Sequence, residues 1–131
     1  MQFSTPPSLP QILAVDDSPI VHVLVRNALQ DRDVEVLVAD NALDALNLLY
    51  SETIAIVLLD VSMPGVDGLE LCRTIRGIPR FGELPIVMVT ARDSAFDKVQ
   101  GKLAGASEYL TKPFTPKTLQ DIVERFLQSP N

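Results

Sequence analysis

Short apolar runs alternate with helix-like segments along most of this chain. Five runs are too short for helices and are bounded by polar or turn-forming residues, a pattern that is typical of buried strands. The predicted strands cover residues 12–15, 34–39, 54–59, 86–89 and 108–111. The run 54–59 is apolar at every position, as expected of a central parallel strand that is covered on both faces.

Five further segments have apolar residues three and four positions apart, which is the spacing of a single helix face. The predicted helices cover about residues 19–30, 42–49, 68–75, 94–103 and 116–126. Ser18, Asn41 and Asp67 precede the first three helices and can cap their free N–H groups, and Gly105 can end the fourth. Strands that alternate with helices predict an α/β fold, in which a doubly wound parallel sheet carries helices on both faces.

The length of the chain, 131 residues, predicts a single domain. We assign residues 11–128 to that domain, residues 1–10 to a flexible leader that contains several prolines and serines, and residues 129–131 to a tail. The start at Met1 favours a stand-alone protein over a piece of a longer one.

Composition narrows the class of protein. The formal net charge of -6 argues against direct nucleic-acid binding, which requires clustered Lys and Arg. The longest apolar run, 54–59, is far shorter than the ~20 residues that span a bilayer, so we expect no membrane insertion. The single cysteine, Cys72, excludes an intramolecular disulfide and any multi-cysteine metal site. These features predict a cytoplasmic globular protein.

Polar side chains follow four of the predicted strands at the point where each strand ends. Asp16 and Asp17 follow the first strand, Asp60 the third, Thr90 the fourth and Lys112 the fifth. Ligands of parallel α/β sheets bind at this carboxyl edge, so we expect these side chains to lie close together. Two carboxylates about 4 Å apart repel by roughly 4 kcal/mol at an effective dielectric near 20. A cluster of three would therefore either become neutral through raised pKa values or bind a cation.

The ligand atoms at this edge favour a hard cation, Mg²⁺ or Mn²⁺, because they are carboxylate oxygens. A cation, a hydroxyl and an ammonium around a carboxylate form a site suited to phosphoryl oxygens. Asp60 can act as the nucleophile at such a site if an acyl phosphate forms.

Several motifs, in order and at matching separations, resemble the receiver domain of two-component response regulators of the chemotaxis type. The resemblance covers about residues 11–128, which is nearly the whole chain. The matching segments are 16–18 (DDS), 58–68 (LLDVSMPGVDG), 90–91 (TA), 105–106 (GA) and 109–114 (YLTKPF). The fold that the resemblance implies is flavodoxin-like, a (βα)5 parallel sheet with strand order 2-1-3-4-5.

The resemblance implies a phosphoacceptor signalling switch rather than an enzyme. Asp60 would receive a phosphoryl group from a histidine kinase or a histidine phosphotransfer protein. Thr90 would hydrogen-bond that group, and Lys112 would pair with it. The cofactor would be Mg²⁺ (or Mn²⁺), and its ligands would be Asp16, Asp17, Asp60 and the backbone carbonyl of Ser62.

The resemblance also implies an output surface. Tyr109 resembles an aromatic switch whose rotamer follows Thr90, and Pro113 resembles the cis-proline of the family. A downstream protein target, or a second copy of the chain, would bind the face made by the fourth helix, fifth strand and fifth helix. The residues expected on that face are Lys98, Lys102, Tyr109 and Lys117. Ser62 and Arg92 occupy positions that vary widely within the family.

Three other functions compete with this interpretation. A haloacid-dehalogenase-like phosphatase also uses an Asp nucleophile with Mg²⁺, but it needs a second acid where this chain has Ser62. A flavodoxin-like electron carrier needs a hydroxyl-rich or glycine-rich loop after the first strand, where Asp16 and Asp17 would repel a flavin phosphate. A phosphorylation-independent adaptor is disfavoured because every acidic and cationic member of the site is present.

Two further residues have simple structural interpretations. His22, the only histidine, lies off the apolar stripe of the first helix, so we interpret it as an ordinary helix-surface residue rather than a phosphodonor. Cys72 lies beside Leu71 and Ile75 on the third helix, which predicts a buried core thiol rather than a nucleophile.

Overall fold

Five strands of one sheet alternate with five helices in residues 9–128, the part of the chain that the computed structural model describes. The strands are β1 (Gln11–Val15), β2 (Glu35–Ala39), β3 (Ile54–Leu59), β4 (Ile86–Thr90) and β5 (Glu108–Thr111). The helices are α1 (Pro19–Leu29), α2 (Ala42–Ser51), α3 (Gly68–Gly77), α4 (Ala95–Leu103) and α5 (Pro116–Gln128). A two-stranded hairpin, Ser62–Met63 with Val66–Asp67, and a 3-10 turn, Pro79–Phe81, complete the regular structure of these residues.

The five strands are parallel and lie in the order β2-β1-β3-β4-β5. This arrangement confirms the flavodoxin-like order 2-1-3-4-5. The register brings the strand ends level with one another, because Val15 of β1 pairs with both Ala39 of β2 and Leu59 of β3. The residues that follow β1 and β3 are therefore neighbours at the carboxyl edge of the sheet.

The two faces of the sheet carry separate hydrophobic clusters. In β3, Ile56 and Leu58 face the cluster that includes α1 and α5, whereas Val57 and Leu59 face the cluster that includes α2 and α3. This alternation explains why the strand is apolar at every position and confirms that the sheet is doubly wound. Cys72 is completely buried in the second cluster, as predicted.

The helix caps follow the signals in the sequence. Ser18 Oγ accepts a hydrogen bond from the N–H of Val21, and Asn41 Oδ1 accepts one from Asp44. Asp67 Oδ1 likewise accepts from the N–H of Leu69 at the start of α3. These short polar side chains satisfy N–H groups that have no partner within the helix.

The observed elements differ from the predicted ones mainly at their ends. β1 begins one residue earlier than predicted and β2 one residue later, α1 ends one residue earlier, and α2 and α3 continue to Ser51 and Gly77. The last two residues of α2 and of α3 lie beyond the apolar stripe, which is why the pattern alone ends these helices too early. The hairpin was not predicted, since strands of two residues are too short to show a periodicity.

The predicted leader and tail lie mostly outside the described residues, which exclude 1–8 and 129–131. Leu9 and Pro10, the last two residues of the predicted leader, are exposed and precede β1. The division into leader, domain and tail therefore stays a prediction. Within residues 9–128, every helix is too short or too polar to cross a bilayer.

Candidate functional site

The residues predicted at the carboxyl edge of the sheet lie there together. The N–H of Asp60 donates to the carbonyl of Val15 at 3.0 Å, which holds the ends of β1 and β3 side by side. The N–H of Lys112 donates to the carbonyl of Thr90 at 2.8 Å, which does the same for β4 and β5. Backbone hydrogen bonds of the parallel sheet therefore place these strand ends side by side.

Three carboxylates form a cluster at this edge. Asp16, Asp17 and Asp60 each offer an oxygen, and the three oxygens lie within 4.8 Å of one another. The side chains differ in their exposure, because Asp16 and Asp60 are 3% and 6% exposed whereas Asp17 is open to solvent. A ligand would thus reach the cluster from the side of Asp17.

The two buried carboxylates are held by specific donors. Asp16 Oδ1 accepts a hydrogen bond from the N–H of Ser18 at 2.9 Å, and its Oδ2 accepts one from Lys112 Nζ at 2.7 Å. Asp60 Oδ1 accepts a hydrogen bond from the N–H of Ser62 at 3.1 Å. Asp60 Oδ2 lies 3.6 Å from Lys112 Nζ, so the ammonium stands between the two buried acids.

The cluster fits a small divalent cation. Mg²⁺ binds oxygen at about 2.0–2.1 Å, so two oxygens on one ion lie no more than about 4.2 Å apart. The observed limit of 4.8 Å needs only small side-chain rotations to meet that requirement. The donor set, which consists of carboxylates, is also the one that Mg²⁺ and Mn²⁺ prefer.

Gly68 lies directly against the backbone of Asp60. A Cβ atom at this position would be 2.5 Å from the carbonyl oxygen of Asp60 and 2.6 Å from the α-carbon of Val61. The N–H of Gly68 donates to the carbonyl of Val61 at 3.1 Å, which closes the loop after β3 onto the start of α3. Only glycine permits this approach, so the loop that carries Asp60 depends on residue 68.

Thr90 and Tyr109 are connected through the backbone of one residue. Thr90 is completely buried, and its Oγ1 accepts a hydrogen bond from the N–H of Arg92 at 3.4 Å. The hydroxyl of Tyr109 donates to the carbonyl of Arg92 at 2.7 Å. Burial raises the pKa of the Tyr109 phenol, and the negative charges of Asp97, Asp93 and Asp60 raise it further against the opposing charge of Arg92.

The ring of Tyr109 also packs against α4. A Cβ atom at Gly101, in the interior of that helix, would lie 3.1 Å from two carbon atoms of the ring. Lys98, Lys102 and Tyr109 border one groove of about 220 Å³, together with Ala106, Ser107 and Glu108. Three of the four residues predicted on the output face therefore surround a common groove.

Lys117 and Pro113 were also predicted at functional positions. Lys117 lies outside that groove, on α5, where its ammonium is 3.3 Å from Asp121 and the side chain is largely exposed. The peptide bond between Lys112 and Pro113 is cis, as the resemblance implies.

The interpretation of His22 as an ordinary surface residue is wrong. Its ring is partly buried, and Nε2 lies 2.6 Å from the backbone carbonyl oxygen of Asp16. Because a carbonyl only accepts, Nε2 carries the proton and donates. The contact depends on how α1 turns back over the end of β1, and neither periodicity nor a motif in the sequence signals it.

The comparisons with known proteins agree with this geometry. The model of the response regulator receiver domain family matches residues 12–124. The chain is 35% identical to a response regulator from Chloroflexus aurantiacus, with a TM-score of 0.86 and coverage of 92% of this chain and 99% of that one. It is 34% identical to the chemotaxis protein CheY4 of Vibrio cholerae, with a TM-score of 0.84 and coverage of 90% and 98%.

A third similar structure is the BeF3-activated receiver domain of DrrB, a protein of Thermotoga maritima. Its identity to this chain is 32%, its TM-score is 0.83, and the match covers 92% of this chain and 99% of that one.

Proposed function

This chain belongs to the response regulator receiver domain family, and we propose that Asp60 is its phosphoacceptor, which takes a phosphoryl group from a histidine kinase or a histidine phosphotransfer protein. Receiver domains are signalling domains of two-component systems, and they bind Mg²⁺ at an acidic pocket. The observation that carries the proposal is the environment of Asp60. Its carboxylate is buried beside Asp16, within 3.6 Å of the Lys112 ammonium, at the edge of the sheet.

The transfer is a displacement at phosphorus. A carboxylate oxygen of Asp60 forms the new O–P bond while the P–N bond to the imidazole of the donor breaks, and the electron pair of that bond stays on the nitrogen. The product is an acyl phosphate on Asp60. Mg²⁺ held by Asp16, Asp17, Asp60 and the carbonyl of Ser62 would supply positive charge that offsets the charge of the phosphoryl oxygens.

The residues of the chain itself position and neutralise the phosphoryl group. The N–H of Ser62 fixes one oxygen of Asp60 at 3.1 Å, so the orientation of the carboxylate is set before the donor arrives. The Lys112 ammonium, which lies 3.6 Å from Asp60 Oδ2, can pair with a phosphoryl oxygen. The Thr90 hydroxyl lies at the same edge and can donate to another oxygen.

The phosphorylated state would be read on the face around Tyr109. Arg92 joins the two residues that change, because its N–H donates to Thr90 Oγ1 and its carbonyl accepts from the Tyr109 hydroxyl. A movement of Thr90 toward the phosphoryl group would therefore pull on Arg92, whose carbonyl binds the Tyr109 hydroxyl. The groove between Lys98, Lys102 and Tyr109, with Lys117 on the neighbouring helix, would then bind a downstream protein or a second copy.

Other aspects of the proposed function follow from composition. The net charge of -6 favours a protein partner over nucleic acid. The single, buried cysteine is compatible with the reducing cytoplasm, where we place the protein. We further propose that the chain assists only its own phosphorylation and dephosphorylation and turns over no other substrate.

Acetyl phosphate with Mg²⁺ tests the proposed phosphoacceptor without knowledge of the natural donor. Intact-mass spectrometry of the wild-type protein should show the gain of one phosphoryl group, and removal of Mg²⁺ with a chelator should abolish it. Asp60→Asn should show no gain, because an amide is a far poorer nucleophile. Asp121→Asn, at an exposed acid on α5, is the matched control and should be modified like the wild type. Phosphorylation of Asp60→Asn would refute the assignment.

A further inference from the structure

We propose that His22 is a positioning residue of the phosphorylation site, which orients the peptide between Asp16 and Asp17 and, through it, the carboxylate of Asp17. The inference rests on the function proposed above and names a residue outside the receiver motifs that supports it. Its basis is the hydrogen bond from His22 Nε2 to the backbone carbonyl oxygen of Asp16, which measures 2.6 Å.

The bond completes the fixation of Asp16. The N–H of this residue donates to the carbonyl of Ala39 at 3.0 Å, and its carboxylate accepts from the N–H of Ser18 and from Lys112 Nζ. His22 supplies a donor to the remaining backbone group. With it, the backbone N–H, the backbone carbonyl and both carboxylate oxygens of Asp16 each have a partner.

A fixed carbonyl at residue 16 also fixes residue 17. The six atoms from one α-carbon to the next lie in a plane, so the direction of the Asp16 carbonyl sets the direction of the Asp17 N–H and the position of its α-carbon. Asp17 is exposed, unlike its two partners in the cluster. The direction of its carboxylate therefore depends on its backbone more than on packing.

The position of His22 in α1 keeps its hydrogen bond to the Asp16 carbonyl rigid. The residue belongs to the first turn of α1, and its own N–H donates to the carbonyl of Ser18 at 3.2 Å. Ser18 in turn caps the helix through Val21 and donates its N–H to Asp16. The segment from Asp16 to His22 is thus closed by hydrogen bonds within itself, and the imidazole is the part that reaches back to the site.

Cation affinity is the property that this orientation should change. Mg²⁺ demands near-ideal octahedral geometry, so a ligand that points in the wrong direction weakens binding. Residues that orient metal ligands typically change metal affinity 10–100-fold when they are lost. We expect a loss of about tenfold here, at the lower end, because His22 acts through the backbone.

Two substitutions at one position separate the hydrogen bond from the other properties of histidine. His22→Leu and His22→Gln both remove the imidazole and any charge that it carries, so they perturb the electrostatics of the acidic cluster equally. Only the glutamine keeps an N–H donor, and its amide nitrogen lies about as far from the α-carbon as Nε2 of histidine. His22→Asn keeps the amide but is one methylene shorter, and it serves if the leucine variant does not fold.

The experiment is a titration of each protein with Mg²⁺ in the absence of a phosphodonor. The amide chemical shifts of Asp17 and Asp60 are the readout. His22→Leu and His22→Asn should bind Mg²⁺ about tenfold more weakly than the wild type, and His22→Gln should restore most of the affinity. In the metal-free protein, the amide shift of Asp17 should move in the leucine variant and return in the glutamine variant.

The outcomes distinguish this inference from the proposed function. If leucine and glutamine weaken Mg²⁺ binding equally, or if neither weakens it, His22 does not act through this hydrogen bond. A purely structural role would lower the thermal unfolding temperature of the variants without separating glutamine from leucine in affinity. Phosphorylation of the wild type that requires Asp60, combined with unchanged Mg²⁺ affinity in all three variants, would overturn the inference and leave the proposed function standing.

Discussion

The ammonium of Lys112 lies 2.7 Å from Oδ2 of Asp16 but 3.6 Å from Oδ2 of Asp60. The lysine thus neutralises a buried acid of the cluster and stands in the space between the two carboxylates. A divalent cation bound to the same carboxylates would meet the repulsion of this ammonium. Lys112 would therefore compete with the cation in the unphosphorylated protein, besides being the proposed partner of the phosphoryl group.

Replacement of this lysine should strengthen cation binding. In Lys112→Met this repulsion disappears, and we expect the Mg²⁺ dissociation constant to fall about tenfold. The free energy of a tenfold change is well below the repulsion of about 4 kcal/mol between unit charges 4 Å apart at an effective dielectric of 20. An Mg²⁺ titration that uses the amide chemical shifts of Asp17 and Asp60 as its readout measures this dissociation constant. Lys117→Met removes the same charge from the exposed surface of α5 and should have little effect. Weaker binding in Lys112→Met would contradict the competition.

The close approach of Gly68 to Asp60 leads to a second prediction. Gly68→Ala should destabilise the protein by roughly 1–3 kcal/mol, since the new methyl group must displace backbone atoms rather than a flexible side chain. The displaced atoms belong to Asp60 and Val61, so phosphorylation by acetyl phosphate should slow as well. Denaturant unfolding and intact-mass kinetics measure the two effects.

Gly77 provides the matched control for this substitution. It is the last residue of α3, and a Cβ atom there would meet nothing within 4 Å. Gly77→Ala should be neutral, or should stabilise the protein by about 0.4–1 kcal/mol through a smaller unfolded-state entropy. Equal destabilisation by both alanines would show that the contact with Asp60 is not what matters at residue 68.

The membership of the site could be predicted from the sequence because parallel strands end at one edge. Asp16, Asp60, Thr90 and Lys112 each follow or close a strand that is recognisable by its apolar run, so their convergence depends on topology and not on side-chain detail. The pairing within the site could not be predicted. Whether Lys112 binds Asp16 or Asp60 depends on differences of about an ångström in side-chain placement.

Contacts between side chains and backbone of different elements could not be predicted from the sequence either. The bond from His22 to the Asp16 carbonyl requires the angle at which α1 leaves β1. The packing of Gly101 against Tyr109 requires the distance between α4 and β5. In the sequence, a glycine inside a helix indicates only a locally less stable helix. In the structure, Gly101 makes room for the ring of Tyr109.

Cys72 should be unreactive in the folded protein. Burial raises the pKa of its thiol, an effect that the charges of Arg76 and Arg73 reduce only in part, and the side chain is completely buried. Since the thiolate is the reactive form, a disulfide reagent should modify Cys72 only as the protein unfolds, at a rate that rises with denaturant. Ser51→Cys combined with Cys72→Ala places the single thiol at an exposed position and should react at once. Fast modification of native wild-type protein would contradict the burial of Cys72.

Tyr109 should make the stability of the protein depend on pH in the alkaline range. Burial, followed by the charges of Asp97, Asp93 and Asp60, raises the pKa of its phenol above the ordinary value near 10. The folded state therefore keeps the proton at a pH at which the unfolded chain begins to lose it. This contribution to the free energy of unfolding is fully present below about pH 10 and is lost as the pH rises through the pKa of the folded state.

The comparison of Tyr109→Phe with the wild type isolates this effect. The difference between their ultraviolet titrations of tyrosinate absorbance belongs to Tyr109, and its midpoint should lie above about 10. The free energy of unfolding should decline less steeply above that pH in Tyr109→Phe, because the variant has no phenol to deprotonate at this site. Tyr50→Phe removes the other tyrosine, which is more than half exposed, and should leave the alkaline decline in place. A difference midpoint at or below 10 would mean that the hydroxyl is solvated rather than bound to the Arg92 carbonyl, and the proposed connection from Thr90 to Tyr109 would lose its physical basis.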